Sequence, residues 1–248
     1  MSAHTQIKLD FVACASRLEV LEKRLLSSPC LQRGGQPLSV HFNAPSAAHG
    51  FNAALQAAAA DSWLVWAHQD VYLPEGWDRR FALALAEALQ QFPRLAVTGV
   101  YGLAGHGADA RRAGHVIDRG ALLRESAALP CLVDSLDELL FAVRVDSGLQ
   151  LDPALGFDFY ATDLVLQAQA AGWQCAVVDA CCEHWSDTPA RGAVPEQVVS
   201  RIRASARVFE QKWAQQLPVT TPCFHIAKAG DVARFIESIV DPTAVRVP

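Results

Sequence analysis

The chain has 248 residues, of which 51% are hydrophobic and 19% charged, enough apolar content to bury a real core and too much for a disordered chain. A net charge of -5, with no Lys/Arg block, argues against a nucleic-acid-binding surface. Seven cysteines form an odd set with no Cys-x-x-Cys pair, which suits reduced thiols better than a disulfide framework. The first residues, Met-Ser-Ala-His-Thr-Gln-Ile-Lys, lack the basic-then-apolar pattern of a signal peptide, and the apolar stretches are broken well short of a membrane span. A soluble, cytoplasmic protein with no transmembrane segment is expected.

Residues 7–14 read as a first strand. A helix follows to about residue 26, with Ser16 as its cap and Glu19 as the capping-box partner. Residues 38–43 form a second strand. Gly50-Phe51-Asn52 opens an alanine-rich helix, and Trp63 begins a third strand. Strand–helix–strand–helix–strand at this spacing predicts a doubly wound α/β sheet with right-handed crossovers. After Pro74 come a helix carrying Phe81, Leu85 and Leu89, a strand over 95–101, and a glycine-rich stretch over 102–120. That stretch reads as a mobile loop or loose hairpin above the crevice. Short strands are predicted near 121–126, 131–134 and 139–145, a helix over 162–171, and a strand over 173–178. A strand end or loop follows at 181–186, then an amphipathic helix over 196–216 with Ile202, Phe209 and Trp213 near one face. A last helix is predicted near 230–240.

The third strand carries the chemistry. Trp63-Leu-Val-Trp-Ala runs into His68-Gln69-Asp70-Val71-Tyr72-Leu-Pro74. A continuous apolar run bounded by polar and turn residues reads as a strand buried on both faces, and ligands of open α/β sheets sit beyond the carboxyl ends of such strands. Two residues apart on extended chain, His68 and Asp70 point to one side and could face one metal ion or one phosphate. The competing reading is a polar strand terminus. Asp163 is either a helix-start acid after the cap residue Thr162 or a general base near the crevice. His184 follows Cys181-Cys182, whose adjacency is poor spacing for tetrahedral zinc.

The order of these segments resembles GT-A glycosyltransferases, and within them the glycosyltransferase-family-2-like group with a His-Gln-Asp-Val-Tyr-Leu-Pro central motif. The resemblance covers roughly residues 7–217 and includes Gly50-Phe-Asn52, Val133-Asp134-Ser-Leu-Asp137-Glu138, Gly156-Phe-Asp158-Phe-Tyr160-Ala-Thr162-Asp163, Cys182-Glu-His184-Trp-Ser186 and Phe209-Glu-Gln-Lys212-Trp213. It implies a mixed, mainly parallel sheet flanked by helices. Residues 1–217 would form one GT-A domain, its donor half about 1–101 and its acceptor half about 102–217, with 218–248 as an extension packed on it. It also implies a nucleotide-diphosphate-sugar donor bound by Asn52, His68 and Asp70, and a divalent metal, Mn²⁺ or Mg²⁺, on Asp70 and His184. Asp163 would be the base that deprotonates an acceptor hydroxyl on an unknown glycan, lipid-linked or protein acceptor. The reaction would be single-sugar transfer, by direct displacement and therefore inverting.

The chain departs from the pattern in three places. His68 replaces the first acid of an Asp-x-Asp motif, Thr162 replaces the acid usually before the base, and Asn43 stands where a nucleoside-binding Asp is common. Two rival readings follow. A transferase-like domain without turnover, serving as a binding module, would account for His68. A nucleotidyltransferase would want a glycine-rich phosphate loop after the first strand, and Ala13–Arg17 has Arg17 but no glycine.

Overall fold

Alternating side chains along the strands build two cores, one on each face of a central sheet. The computed structural model describes residues 7–186 and 195–240. In chain order its strands are β1 (Lys8–Ala15), β2 (Leu38–Phe42), β3 (Ser62–Ala67), β4 (Val71–Tyr72), β5 (Leu95–Gly99), β6 (Tyr101–Ala104), β7 (Arg111–Asp118), β8 (Ala121–Arg124), β9 (Cys131–Leu132), β10 (Ser135–Leu136), β11 (Leu140–Arg144), β12 (Gln174–Val177), β13 (Glu183–His184), β14 (Val219–Thr220) and β15 (His225–Ile226). The helices are α1 (Leu18–Lys23), α2 (Ala47–Ala57), α3 (Trp77–Gln91), α4 (Tyr160–Ala170), α5 (Glu196–Lys212) and α6 (Asp231–Val240).

The main sheet has the order β2-β1-β3-β11-β5-β12-β9. β1 pairs in parallel with β2 and β3, and β12 in parallel with β5, whereas β11 runs antiparallel between β3 and β5. The expected mainly parallel, mixed α/β sheet is therefore present. Leu9, Phe11, Ala13 and Ala15 of β1, with Trp63, Val65 and Ala67 of β3, join α1 and α3 in one core. Val12, Leu64 and Trp66 turn to the other face and meet α2 and α4. This is the period-2 alternation of strands covered on both sides. A third core joins α5, α6 and the β14–β15 hairpin through Phe209, Trp213, Ile226 and Ile236.

Several local expectations shift. Helix α2 starts at Ala47 rather than Gly50, because Ser46 caps it by accepting the His49 N–H at 3.2 Å. Ser16 does not cap α1, whose N-cap is Arg17. Instead, the Gln69 side-chain oxygen accepts the Ser16 and Arg17 N–H groups at 3.0 and 3.1 Å. Glu19 pairs with the Arg17 side chain at 3.0 Å. The strand predicted over 95–101 bends at Val100 into β5 and β6, and of the loop or hairpin expected over 102–120 the structure has the hairpin, β6 against β7, extended by β8. Residues 1–6 and 241–248 of the expected domain and extension lie outside the described residues.

Candidate metal centre and flanking cavities

Two strand systems converge at the carboxyl end of β3. A tight turn, with the Val71 N–H on the His68 carbonyl at 3.1 Å, carries His68 and Asp70 out of β3 and into β4. Strand β13 lies between β4 and β7, pairing His184 with Val71 on one side and with Asp118 on the other. That register brings a residue more than a hundred positions downstream to the His68–Asp70 turn. His184 Nε2 lies 3.5 Å from Asp70 Oδ1, and His68 Nδ1 lies 3.9 Å from the same oxygen. One ligand atom from each of the three falls within 4.8 Å of the others, the only such grouping of three metal-ligating side chains among the described residues. Gln69 points instead to the start of α1; the turn, rather than the extended chain expected, brings His68 and Asp70 to one side.

The ring nitrogens facing away from the centre are occupied. His184 Nδ1 bonds Asp118 Oδ1 at 2.9 Å, and His68 Nε2 bonds the Tyr160 hydroxyl at 2.7 Å. Tyr160 is buried, with Trp66 edge-on to its ring at a centroid distance of 5.5 Å. Burial alone would raise the Asp70 carboxyl, but the His184 hydrogen bond and the two imidazoles hold it down, from 3.8 to about 2. Burial would lower His184, but Asp70, with Asp137 and Asp118, pushes it above its usual 6.5. Burial wins at His68 and lowers it despite Asp70, so that ring is neutral and ready to give a lone pair. Two nitrogens and one carboxylate oxygen, each backed by a partner, fit a divalent cation.

Two cavities flank the centre. One, of about 310 Å³, lies over the carboxyl ends of β1 to β3 and is lined by Cys14, Ser16, Asn43, His68, Gln69, Asp70, Tyr160 and Arg201. The adjoining space around Arg17, Asp70, His184 and Arg201 continues it past the centre. A further cavity of about 220 Å³ shares His68 but is otherwise lined by Asp137, Glu138, Asp158, Thr162, Ile202 and residues 221–224 of the β14–β15 hairpin. Arg201, which faces the first cavity, grips Asp158 of the second through Nε at 2.9 Å and Nη2 at 3.1 Å. This ion pair separates the two spaces. Glu138 is held neutral by burial and by the nearby Asp158 and Asp137 charges, its carboxyl raised well above the usual range. Its Oε1 has no hydrogen-bond partner. Asp137 spends one oxygen on the Leu139 N–H at 3.0 Å.

Two expected site residues lie elsewhere. Asp163 is fully buried and lines neither cavity. Its Oδ1 accepts the Trp213 indole N–H at 2.7 Å and pairs with Lys212 Nζ at 2.7 Å, and its Oδ2 accepts the Gln167 amide at 2.6 Å. The expected role as a base needs reach to an acceptor hydroxyl; in the structure Asp163 ties α4 to the end of α5. Asn52 is also a clamp, exchanging two hydrogen bonds with the Leu151 backbone at 2.9 and 3.0 Å, and it does not line the 310 Å³ cavity. The residues not anticipated are Asp118, Tyr160, Asp137 and Arg201. Asp118 had no local signal because its role depends on the β7–β13 register. Tyr160 and Asp137 lay inside the quoted segments, where nothing distinguished them from packing or turn residues.

No family model matches the chain. It is 29% identical over 163 residues, 61% of its length, to the "ATP synthase subunits region ORF 6" protein of Fuscovulum blasticum, and it spans about 60% of that protein's length. Among solved structures it superposes on the crystal structure of GalNAc-T7 with UDP, GalNAc and Mn²⁺, with a TM-score of 0.52 and 10% identity, covering 95% of this chain and 55% of that one. A197 from STIV aligns over 73% of the chain with a TM-score of 0.45 and 12% identity. At 10% identity the likeness to the GalNAc-T7 structure shows the fold alone, a GT-A-like mixed α/β architecture.

Proposed function

We propose that the protein is a metal-assisted glycosyltransferase that moves a single sugar from a nucleotide-diphosphate donor to an acceptor hydroxyl. The observation that carries this reading is the His68, Asp70 and His184 cluster at the carboxyl end of β3, opening on a cavity large enough for a nucleotide. His68, Asp70 and His184 would hold a divalent cation such as Mn²⁺ or Mg²⁺, which supplies charge neutralisation for a leaving diphosphate. Arg201, lining the same cavity, adds a fixed cation toward the phosphates. Asn43 and the β1–α1 turn wall the nucleoside end. The acceptor would enter the second cavity, where Asp137 makes no ion pair with a lysine or arginine among the described residues. Asp137, rather than Asp163, is the base in this reading: it takes the acceptor's proton as the hydroxyl attacks the anomeric carbon, inverting its configuration. Glu138, neutral and buried, orients the acceptor as a hydrogen-bonding group.

Release of nucleoside diphosphate from a panel of nucleotide sugars, with Mn²⁺ and candidate acceptors, tests the reading. Asp137→Asn should lower turnover by about 10²–10⁴-fold, the contribution of a general base, while donor binding is kept. Turnover in Asp137→Asn equal to wild type removes Asp137 from this role. Metal-dependent donor binding with no transfer or hydrolysis for any donor would favour the rival binding module, whose supporting observation is His68 in place of an acid.

A further inference from the structure

The second cavity carries charge of one sign. Its described lining holds three carboxyl groups, Asp137, Glu138 and Asp158, and no lysine or arginine. The nearby cations are already engaged. Arg201 grips Asp158 through two nitrogens, and Arg112 Nη2 donates to the Pro222 carbonyl in the cavity wall at 2.9 Å. Glu138 Oε1 is buried with no hydrogen-bond partner, and a buried acceptor left unpaired costs stability that a donor restores. Phe159 and Phe224 line the same space, their ring centroids 5.5 Å apart. Carboxyl groups beside aromatic faces are the surroundings that recognise an organic ammonium, through charge-assisted hydrogen bonds and the ring quadrupoles.

We infer that the second cavity takes a primary ammonium, and that the acceptor is a small amine-bearing alcohol whose cation pairs with Glu138 while its hydroxyl meets Asp137. Calling this ligand the acceptor rests on the transferase reading proposed above; the ammonium site itself does not need it. Glu138 keeps its proton because burial and the Asp158 and Asp137 charges oppose another negative charge. An ammonium supplies the opposite charge, so the carboxyl ionises as it pairs, its proton passing to solvent, and its hydrogen bond to the acceptor becomes charge-assisted. Asp137 is then left free for the hydroxyl. His68, shared by both cavities, marks the end at which that hydroxyl approaches the donor. A volume of about 220 Å³ is below that of pockets for drug-sized ligands and suits a body of monosaccharide size.

Chemical-shift titration of the isotope-labelled full chain, with neither donor nor metal added, measures this. Glucosamine is compared with glucose, and 2-aminohexan-1-ol with hexane-1,2-diol, so that each pair differs only in the amine and the two pairs separate a sugar body from an alkyl one. In wild type at least one amine should bind about tenfold or more tightly than its neutral counterpart, with shifts centred on residues 221–224 of the cavity wall. The pair with the larger gap identifies the body. Glu138→Gln keeps the shape but cannot ionise, and should bring that amine within about twofold of its counterpart, with circular dichroism unchanged. Cys223→Lys, which adds a cation to the lining, should do the same and decides the matter if Glu138→Gln does not fold. No saturable binding of either amine, or affinities within about twofold of the neutral counterparts in wild type, overturns the ammonium site. A gap that persists in folded Glu138→Gln overturns the role of Glu138. Failure of the transferase reading is separable, because it is judged by nucleoside diphosphate release and these titrations contain no donor.

Discussion

Asp70 sits between two imidazoles that affect it in the same direction, and this sets the pH behaviour of the metal-free protein. Its carboxyl is held down to about 2, so its stabilising contribution is complete above the ordinary value near 3.8 and is lost as pH falls toward 2. His184 is raised above 6.5, so its contribution is complete below 6.5 and is lost as pH rises through the raised value. Calorimetric melting of metal-free wild type should show a Tm decline between pH 6 and pH 8 that is shallower in Asp70→Asn, because that variant lacks the charge holding the His184 proton. Parallel Tm profiles for the two proteins would contradict the assignment. Metal binding runs the other way. It requires His184 to give up its proton, so divalent-ion affinity should rise across the same pH range.

At the scale of elements, α4 and α5 are joined through Asp163. Its carboxylate takes Trp213, Lys212 and Gln167 while wholly enclosed, and removing one member of a buried ionic set costs about 3–5 kcal/mol. Asp163→Ala should therefore lower the urea midpoint by a corresponding amount, whereas Asp137→Asn, in a cavity wall, should leave it nearly unchanged. Equal midpoints for Asp163→Ala and wild type would return Asp163 to the list of chemical groups. This residue shows where sequence reading reaches its limit. A short acid at a helix start is chemically suited to a base and equally suited to an anchor, and only the position of Trp213, fifty residues away, decides between them. The strands were legible because period-2 patterns and buried apolar runs follow from the pleat, as in β1 and β3. The His68–Asp70 pair was legible from its place at the end of a buried strand, although a turn rather than extended chain brings the two together. The register of β13 against β4 and β7 was not, because two-residue strands carry no periodic signal, and with it went Asp118. Ser46 was passed over as a cap because the apolar pattern begins later, at Phe51, and the glycines of 102–120 left loop and hairpin as alternatives. Phe159 is another such case: a bulky residue with φ of 69°, in a region that costs about 1–3 kcal/mol, stands between Asp158 of the acceptor-side cavity and Tyr160 of the centre.

Across the whole molecule, the main sheet delivers β1 to β3 to one crevice, and the smaller β10-β6-β7-β13-β4 sheet brings His184 to its edge. Segment 221–224 of the chain after α5 walls the second cavity, which shares His68 with the first, and the Arg201–Asp158 pair links the two linings. Among the described residues no helix is long and apolar enough to cross a membrane. Arg201 lines the first cavity and Asp137 and Asp158 line the second, so in the proposed reading an anionic diphosphate is favoured in the first and disfavoured in the second. A nucleoside diphosphate with Mn²⁺ should accordingly raise the Tm of wild type by mass action, and Arg201→Ala should reduce the shift.

The central claim is that this crevice binds a nucleotide diphosphate through a cation held by His68, Asp70 and His184. Isothermal titration of uridine and guanosine diphosphates into the protein, with and without Mn²⁺, in wild type and Asp70→Asn, tests it most directly. The account predicts one saturable site in wild type that requires Mn²⁺ and is lost in Asp70→Asn. Binding of equal strength without metal, or undiminished in Asp70→Asn, would contradict it.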